Sequence, residues 1–397
     1  MSRLSERLVA SVSDQELDRR WAAVRAMMAA ENIAALVVEN TNNSVGGYIQ
    51  WFTGIPAADG MPLAAVFPRE DQMTVVSHGL LDTRRELGPD GDGIFRGVRQ
   101  VLSTAYFPAV GYTKPYEAAL LAEALAPYRH ERIGLVGPYQ MLSATVDQLR
   151  TALHGATFID ASDLVDSIKI VKSAEEIAMI RVAAANQDTA IEAAIKAVEP
   201  GKTDRDIAVV AQNVSRELGS DQGFALCASA PPGQPAVFVH SHLQGRVIQP
   251  GDVISLLVEN AGPGGMWSEV GRSIVVGPAP QEMIEDCAFA LEAQTFTMSL
   301  MRPGAAAKDI WEAYNTFMRE HGRPEEKRIH CHGQGYDLVE RPLIRFDESF
   351  TLAASLNIAC HPSFLGKPAF CSLTDGFIMT AGGTERLHST AQRIFEL

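Results

Sequence analysis

Seven of the ten histidines in this chain lie beyond residue 230, at positions 240, 242, 321, 330, 332, 361 and 388. Two pairs are spaced by two, His240-Ser-His242 and His330-Cys-His332. On a strand, that spacing sets both rings of a pair on one face, so either pair can look into a shared cavity. An imidazole titrates near neutrality, which suits proton transfer in both directions. One member of each pair would equally serve as a hydrogen-bonded structural histidine, His242 and His330 more readily than His240 and His332. Between the pairs lie Glu269 and Arg272. A carboxylate in such an apolar run is costly to bury unless it meets a cation or a ligand, and pairing with Arg272 is the plain structural account. Cys331 and Cys360 neighbour His332 and His361, point to the opposite faces, and read as core packing rather than nucleophiles.

Positioning these residues requires strands and turns. Gly251-Asp-Val-Ile-Ser-Leu-Leu-Val-Glu-Asn-Ala and Met266-Trp-Ser-Glu-Val-Gly-Arg-Ser-Ile-Val-Val-Gly, joined through Gly262-Pro-Gly-Gly, predict a β-hairpin with Glu269 and Arg272 on its second strand. The segment around it repeats. Pro200-Gly201 and Pro303-Gly304 both open the pattern Pro-Gly-x4-Asp-Ile, 103 residues apart. Each follows a long helix (about 173–198 and 281–301), precedes another (about 204–218 and 306–321), and leads to a strand (Phe224–Ala228 and Arg328–His332). A pseudo-repeat of this kind predicts paired helices over a curved antiparallel sheet, whose concave face is the natural place for a site. The long helix opens on Lys172-Ser-Ala-Glu-Glu-Ile, where Ser173 and Glu176 form a capping box.

Upstream, Leu17, Trp21, Val24 and Met28 mark an amphipathic helix over Ser13–Asn32. Strands are expected at 33–38, Leu63–Phe67, Met73–Ser77 and Arg132–Val136, and helices at Tyr116–Pro127 and Ala144–His154. This alternation predicts an α/β layer, with a boundary within Asp160–Val171. A chain of 397 residues accommodates two domains, taken as 1–165 and 166–397. The formal net charge of −14 excludes a nucleic-acid partner and disfavours an anionic membrane. The opening Met1-Ser-Arg-Leu-Ser-Glu-Arg lacks the apolar run of a signal peptide, and no apolar stretch is long enough to span a bilayer. Five cysteines without zinc spacing suit a cytoplasmic protein with reduced thiols.

The motifs together resemble the pita-bread clan of creatinase, aminopeptidase P, prolidase and methionine aminopeptidase (peptidase M24-like) over nearly the whole chain. The segment before Trp51-Phe-Thr-Gly54 is similar to a creatinase N-terminal domain. Lys172-Ser-Ala-Glu-Glu-Ile, Gly251-Asp252, Glu269-Val-Gly-Arg-Ser, His332-Gly-Gln-Gly and His361-Pro follow in family order. The resemblance implies an α/β (α+β) chain: a creatinase-like domain, then a pita-bread catalytic domain with a curved antiparallel sheet and pseudo-twofold repeat.

The resemblance also implies a ligand set of two aspartates, a histidine and two glutamates for two metal ions. On this chain those positions fall at about Leu257 and at Glu269, His332, His361 and Thr374, which leaves one carboxylate where four are needed. Dinuclear chemistry is therefore not expected. The creatinase and ectoine hydrolase branch, which works without metal, has a histidine shortly before its Gly-Asp strand, and His240 stands there. The leading expectation is accordingly a metal-independent, creatinase-like hydrolase of a C–N bond in a small polar nitrogen compound, with no cofactor and no metal. His240, His332 and Glu269 would carry the chemistry. His361, Arg272, His242, Trp51 and Thr374 would bind substrate. Two alternatives stand beside it: a mononuclear metal-dependent hydrolase or lyase using Glu269, His332 and His361, and a catalytically inactive binding paralogue. The partners expected are a small-molecule substrate and a second copy of the chain in a homodimer, with neither nucleic acid nor membrane.

Overall fold

The computed structural model describes residues 8, 10–88, 91–110, 116–362, 364–365 and 370–397; the opening segment read above for targeting lies largely outside them. Two compact units emerge, Met1–Lys169 and Ile170–Leu397.

The first unit is a seven-stranded mixed sheet with helices. Its elements are α1 (Asp14–Ala30), β1 (Ala35–Asn40), α2 (Gly47–Thr53), β2 (Leu63–Pro68), β3 (Met73–His78), β4 (Thr83–Glu86), β5 (Val98–Thr104), α3 (Tyr116–Ala124), β6 (Arg132–Val136), α4 (Ser143–Ala152), β7 (Thr157–Asp160) and α5 (Ser162–Lys169), in sheet order β4-β5-β3-β2-β1-β6-β7. The Ser13 side chain accepts the Glu16 amide and starts α1, as the apolar spacing requires. The continuous branched run of β1 is buried throughout because strands flank it on both edges. β4, β5, β7, α2 and α5 are elements beyond those expected from the sequence. Trp51, expected to line a substrate pocket, is instead 1% exposed. It packs edge-on against Phe52 under the Arg20 guanidinium, whose Nη1 donates to the Trp51 carbonyl. It is a core residue of this unit.

The second unit consists of two related halves. The first half comprises α6 (Ala174–Lys196), α7 (Asp204–Glu217), β8 (Gly223–Ala230), β9 (Val253–Ala261) and β10 (Trp267–Val275). The second comprises α8 (Gln281–Leu300), α9 (Ala307–Glu320), β11 (Cys331–Gly333), β12 (Glu340–Leu343), β13 (Asn357–Cys360), the short pair β14 (Phe364–Leu365) and β15 (Phe370–Cys371), β16 (Asp375–Thr380) and β17 (Gly383–Arg386); β18 (Phe395–Glu396) returns to β10. Each half is thus a helix pair followed by antiparallel strands, ordered β10-β9-β8 and β12-β11-β13-β16-β17, with β18 added parallel to β10. Both bonds of the Ser173–Glu176 capping box form, fixing where α6 begins. A second box, Thr203–Asp206, opens α7. Apolar faces of α6 and α7 close over β8–β10 through Ile191, Ile207, Leu256 and Ile274. Cys331 and Cys360, partners across β11 and β13, sit in the second half's core with Ile310, Ile358 and Met379. The two sheets meet at an isolated bridge, Gly271 with Thr374.

Candidate active site

Hairpin register determines which side chains meet. The turn closes with the Gly262 amide on the Met266 carbonyl, pairing Ala261 with Trp267. Counting back, Glu269 faces Glu259, and Gly271 faces Leu257. The position opposite Glu269 is therefore a glutamate. Leu257, where the resemblance set the first aspartate, pairs with Gly271 instead, two residues from Glu259 and on the same face of its strand.

Strands from the other half supply the imidazoles. His332 lies on β11 and His361 just past β13, whose amide donates to the His330 carbonyl. Glu269 Oε1 is 3.9 Å from His332 Nε2 and 3.9 Å from His361 Nε2, and the two rings are 5.1 Å apart. One donor atom from each of the three residues lies within 4.8 Å of the other two. These gaps exceed a hydrogen bond, and Glu269 Oε1 is buried without a hydrogen-bond partner. Among the described residues its other oxygen receives only a 3.4 Å bond from Gln334 Nε2, which also donates to the Leu338 carbonyl. His332 Nδ1 is 2.9 Å from the Gly333 carbonyl, so that nitrogen carries the proton and Nε2 turns its lone pair toward Glu269. A carboxylate and two imidazoles with converging lone pairs are a donor set for one transition-metal or zinc ion.

Electrostatics favour a cation between them. Burial pushes the Glu269 carboxyl well above its ordinary value, and the charge of Glu259 pushes it further. Burial lifts Glu259 to about 7, with Arg328 opposing. His332 falls to about 4, chiefly through burial, and His361 falls well below 6.5 through burial and then the charges of His332 and Arg328. In the protein alone, two facing carboxylates resist full ionisation and the imidazoles stay neutral; a bound cation reverses the carboxylate penalty and uses the neutral rings.

The other expected site residues sit elsewhere. Arg272 is fully buried and all its donors are committed: Nε to the Ala391 carbonyl, Nη1 to the Gly271 and Thr374 carbonyls, Nη2 to Asp375 Oδ1 and the Thr390 carbonyl. It neither pairs with Glu269 nor has a hydrogen left for a substrate anion; three residues apart on a strand, the two point to opposite faces. His240 and His242 are not on a strand. His240 caps the 3-10 turn Ser241–Leu243 and His242 lies within it, as exposed rings stacked 6.5 Å apart, and the converging cluster does not include them. Thr374 is buried with its hydroxyl against Gly271, where an added Cβ would lie 2.9 Å away, so this glycine permits the junction of the sheets. His330 stacks on Tyr314 at 3.6 Å with both ring nitrogens buried and unbonded, which makes it a core histidine. Sequence reasoning missed Glu259, which counting from the turn would have found, and Gln334, which lies inside the His-Gly-Gln-Gly motif. Gly335 ends that motif because a Cβ there would lie 2.6 Å from Glu340 and 2.7 Å from Lys172, a buried ion pair.

Comparison with known proteins bears on both fold and chemistry. Residues 20–171 match the creatinase/prolidase N-terminal domain, and residues 178–383 match metallopeptidase family M24. The chain is 24% identical over 271 residues to an Xaa-Pro dipeptidase of Pyrococcus furiosus, covering 66% of this chain and 75% of that one. It is 25% identical over 411 residues to an uncharacterized hydrolase/peptidase of Sinorhizobium fredii, covering 96% and 97%. The X-Pro aminopeptidase of Thermotoga maritima superposes with a TM-score of 0.78 at 18% identity, covering 95% and 99%. These neighbours share the pita-bread fold with an N-terminal domain. The expectation of a metal-independent, creatinase-like hydrolase of non-peptide C–N bonds is therefore corrected: relatives with a stated activity are Xaa-Pro dipeptidases and X-Pro aminopeptidases, and Glu269, His332 and His361 converge as metal ligands would. The chain belongs to metallopeptidase family M24.

Proposed function

We propose that this protein is a metal-dependent peptidase that cleaves short peptides at one divalent ion held by Glu269, His332 and His361. The observation that carries the reading is the convergence of these three donors on a point where Glu269 Oε1 has no partner of its own. The names of the Xaa-Pro dipeptidase and X-Pro aminopeptidase relatives support a short proline-containing peptide as substrate.

A divalent ion in this position supplies Lewis acidity toward a carbonyl oxygen. The remaining work falls to the chain. His332 is held in one tautomer by the Gly333 carbonyl, so its ligating nitrogen stays available. Gln334 orients Glu269 from behind. Glu259, directly across the hairpin and outside the three-residue cluster, would take a proton from the water that attacks the amide carbon and pass it to the nitrogen that leaves as the C–N bond breaks. The catalytic unit is taken as residues 166–397, and a homodimer in a reducing cytoplasm is the proposed setting; the five unpaired cysteines support the latter. Among the described residues no helix is long and apolar enough to cross a membrane.

Metal analysis of the purified protein, paired with Ala-Pro hydrolysis before and after chelation, tests the reading. Near one equivalent of metal and chelator-sensitive, metal-restored hydrolysis are expected. Hydrolysis unaffected by chelation, or a protein that takes up no divalent metal, would overturn it.

A further inference from the structure

We infer that Gln187, buried in α6, is a positioning residue: it fixes the roll of the β9–β10 hairpin that aims Glu259 and Glu269 into the site. The inference rests on the metal-peptidase reading above and names the group that holds its carboxylates in place.

Next to the pair of glutamates on the hairpin stands another pair, Asn260 with Ser268. Successive residues of a strand point to opposite faces, so holding this pair toward α6 turns the glutamates toward the imidazoles. Gln187 does the holding. Its Nε2 donates to Asn260 Oδ1 at 2.7 Å and to the Asn260 carbonyl at 3.4 Å on β9, and to the Ser268 carbonyl on β10. One side-chain amide thus ties both strands to a single point on the helix, and neither strand rolls without breaking a bond. One helical turn earlier, an added Cβ on Gly262 would lie 2.6 Å from the Ala183 side chain, so the tip of the hairpin is pressed against the same face of α6.

The following residue of the helix completes a bracket. Asp188 accepts the Ser389 amide and the Thr390 hydroxyl at 2.6 Å each, and the Thr390 carbonyl accepts Arg272 Nη2 at 2.8 Å. Glu269 therefore stands between Ser268, held by Gln187, and Arg272, held through Asp188. Packing alone does not call for a glutamine here. The side chain is fully buried, and its Oε1 has no hydrogen-bond partner among the described residues. An apolar side chain of the same length would fill the space without burying an unmet acceptor.

The test reads cobalt(II) affinity and the absorption spectrum of the cobalt-loaded full chain, beside the melting temperature without metal and Ala-Pro hydrolysis. Gln187→Met keeps the side-chain length and removes the amide hydrogens. Ile191→Ala, one turn along in the core under the same helix, controls for lost stability. Gln187→Met should weaken metal binding roughly tenfold or more and change the cobalt spectrum. Ile191→Ala should melt lower than the natural protein yet bind and absorb as it does. Asn260→Ala, which leaves the Ser268 bond in place, should lose metal affinity by a smaller factor, and it decides the matter if Gln187→Met does not fold. Natural affinity and spectrum in Gln187→Met (or in Asn260→Ala, where it stands in), or an equal loss in Ile191→Ala, overturns the inference and leaves the metal site standing. Weakened binding in Gln187→Met but not in Ile191→Ala, without Ala-Pro hydrolysis by the natural protein, supports the inference and removes the peptidase reading. A natural protein that takes up no divalent metal overturns both.

Discussion

Glu259 and Glu269 face each other as paired residues of one antiparallel hairpin, at the point where two imidazoles from the other half of the domain arrive. Like charges directly opposite on a sheet oppose folding unless something compensates them. That pairing gives the two glutamates separable roles, which mutation can distinguish.

Replacing a proposed ligand should empty the site. Glu269→Gln and His361→Ala should each lower divalent-metal affinity by at least roughly tenfold, read as metal per chain after dialysis against a buffered metal concentration. The thermal stabilisation that metal gives the natural protein should disappear with it. Full metal retention in both variants would rule out the three-residue site.

Glu259→Gln should behave differently. It keeps a polar side chain across the hairpin but cannot accept a proton. Metal content should stay near that of the natural protein while kcat for Ala-Pro falls by about 100-fold or more. Loss of metal as complete as in Glu269→Gln would make Glu259 a ligand instead.

Arg272→Ala should be a stability mutation rather than a binding one. It removes the Arg272 bonds to Asp375 and to four carbonyls, while Arg386 still pairs with Asp375, at a cost of about 2–3 kcal/mol in urea unfolding. KM per folded molecule should not change. A raised KM with unaltered stability would return Arg272 to the substrate.

In the first unit, Glu39 is buried, accepts bonds from the Leu142 amide and the Thr145 hydroxyl at 2.9 Å each, and is lifted to about 7 by burial. Its folded value lies above its unfolded one, so the folded state holds a proton that the unfolded state gives up. Stability should therefore fall as pH rises between about 4.5 and 7, then level off, by at most about 3 kcal/mol. Glu39→Gln should melt higher than the natural protein at pH 8 and show a shallower slope through that window. Glu117 beside it, also lifted to about 7, keeps the slope from vanishing. A lower melting temperature for Glu39→Gln at pH 8 would contradict the assignment.

Much of this architecture could be read from the sequence because it is written in local chemistry. The Ser173 box, the duplicated Pro-Gly-x4-Asp-Ile turns and the branched runs around Gly262 each impose one conformation on a few residues. What failed depended on partners. A spacing of two cannot distinguish a strand from a short 3-10 turn, and His240 and His242, downstream of Pro231-Pro232-Gly233, proved to be the latter. Pairing Arg272 with Glu269 ignored strand parity, which was available from their spacing. The true partner, Asp375, lies over a hundred residues away on β16 and could not be inferred.

The seam at Gly271 and Thr374 has a consequence for the life of the molecule. The carboxylate ligand, Glu269, grows from a strand on one side of it and both imidazoles from the other, so neither half owns a complete grip on an ion. A metal bound here would act as a rivet through the seam. Loaded protein should then open as one cooperative block, while the stripped form is free to let one half loosen before the other. Any substitution that widens the seam, however far from the three ligands, would release the rivet and with it the proposed activity, with every ligand still in the sequence.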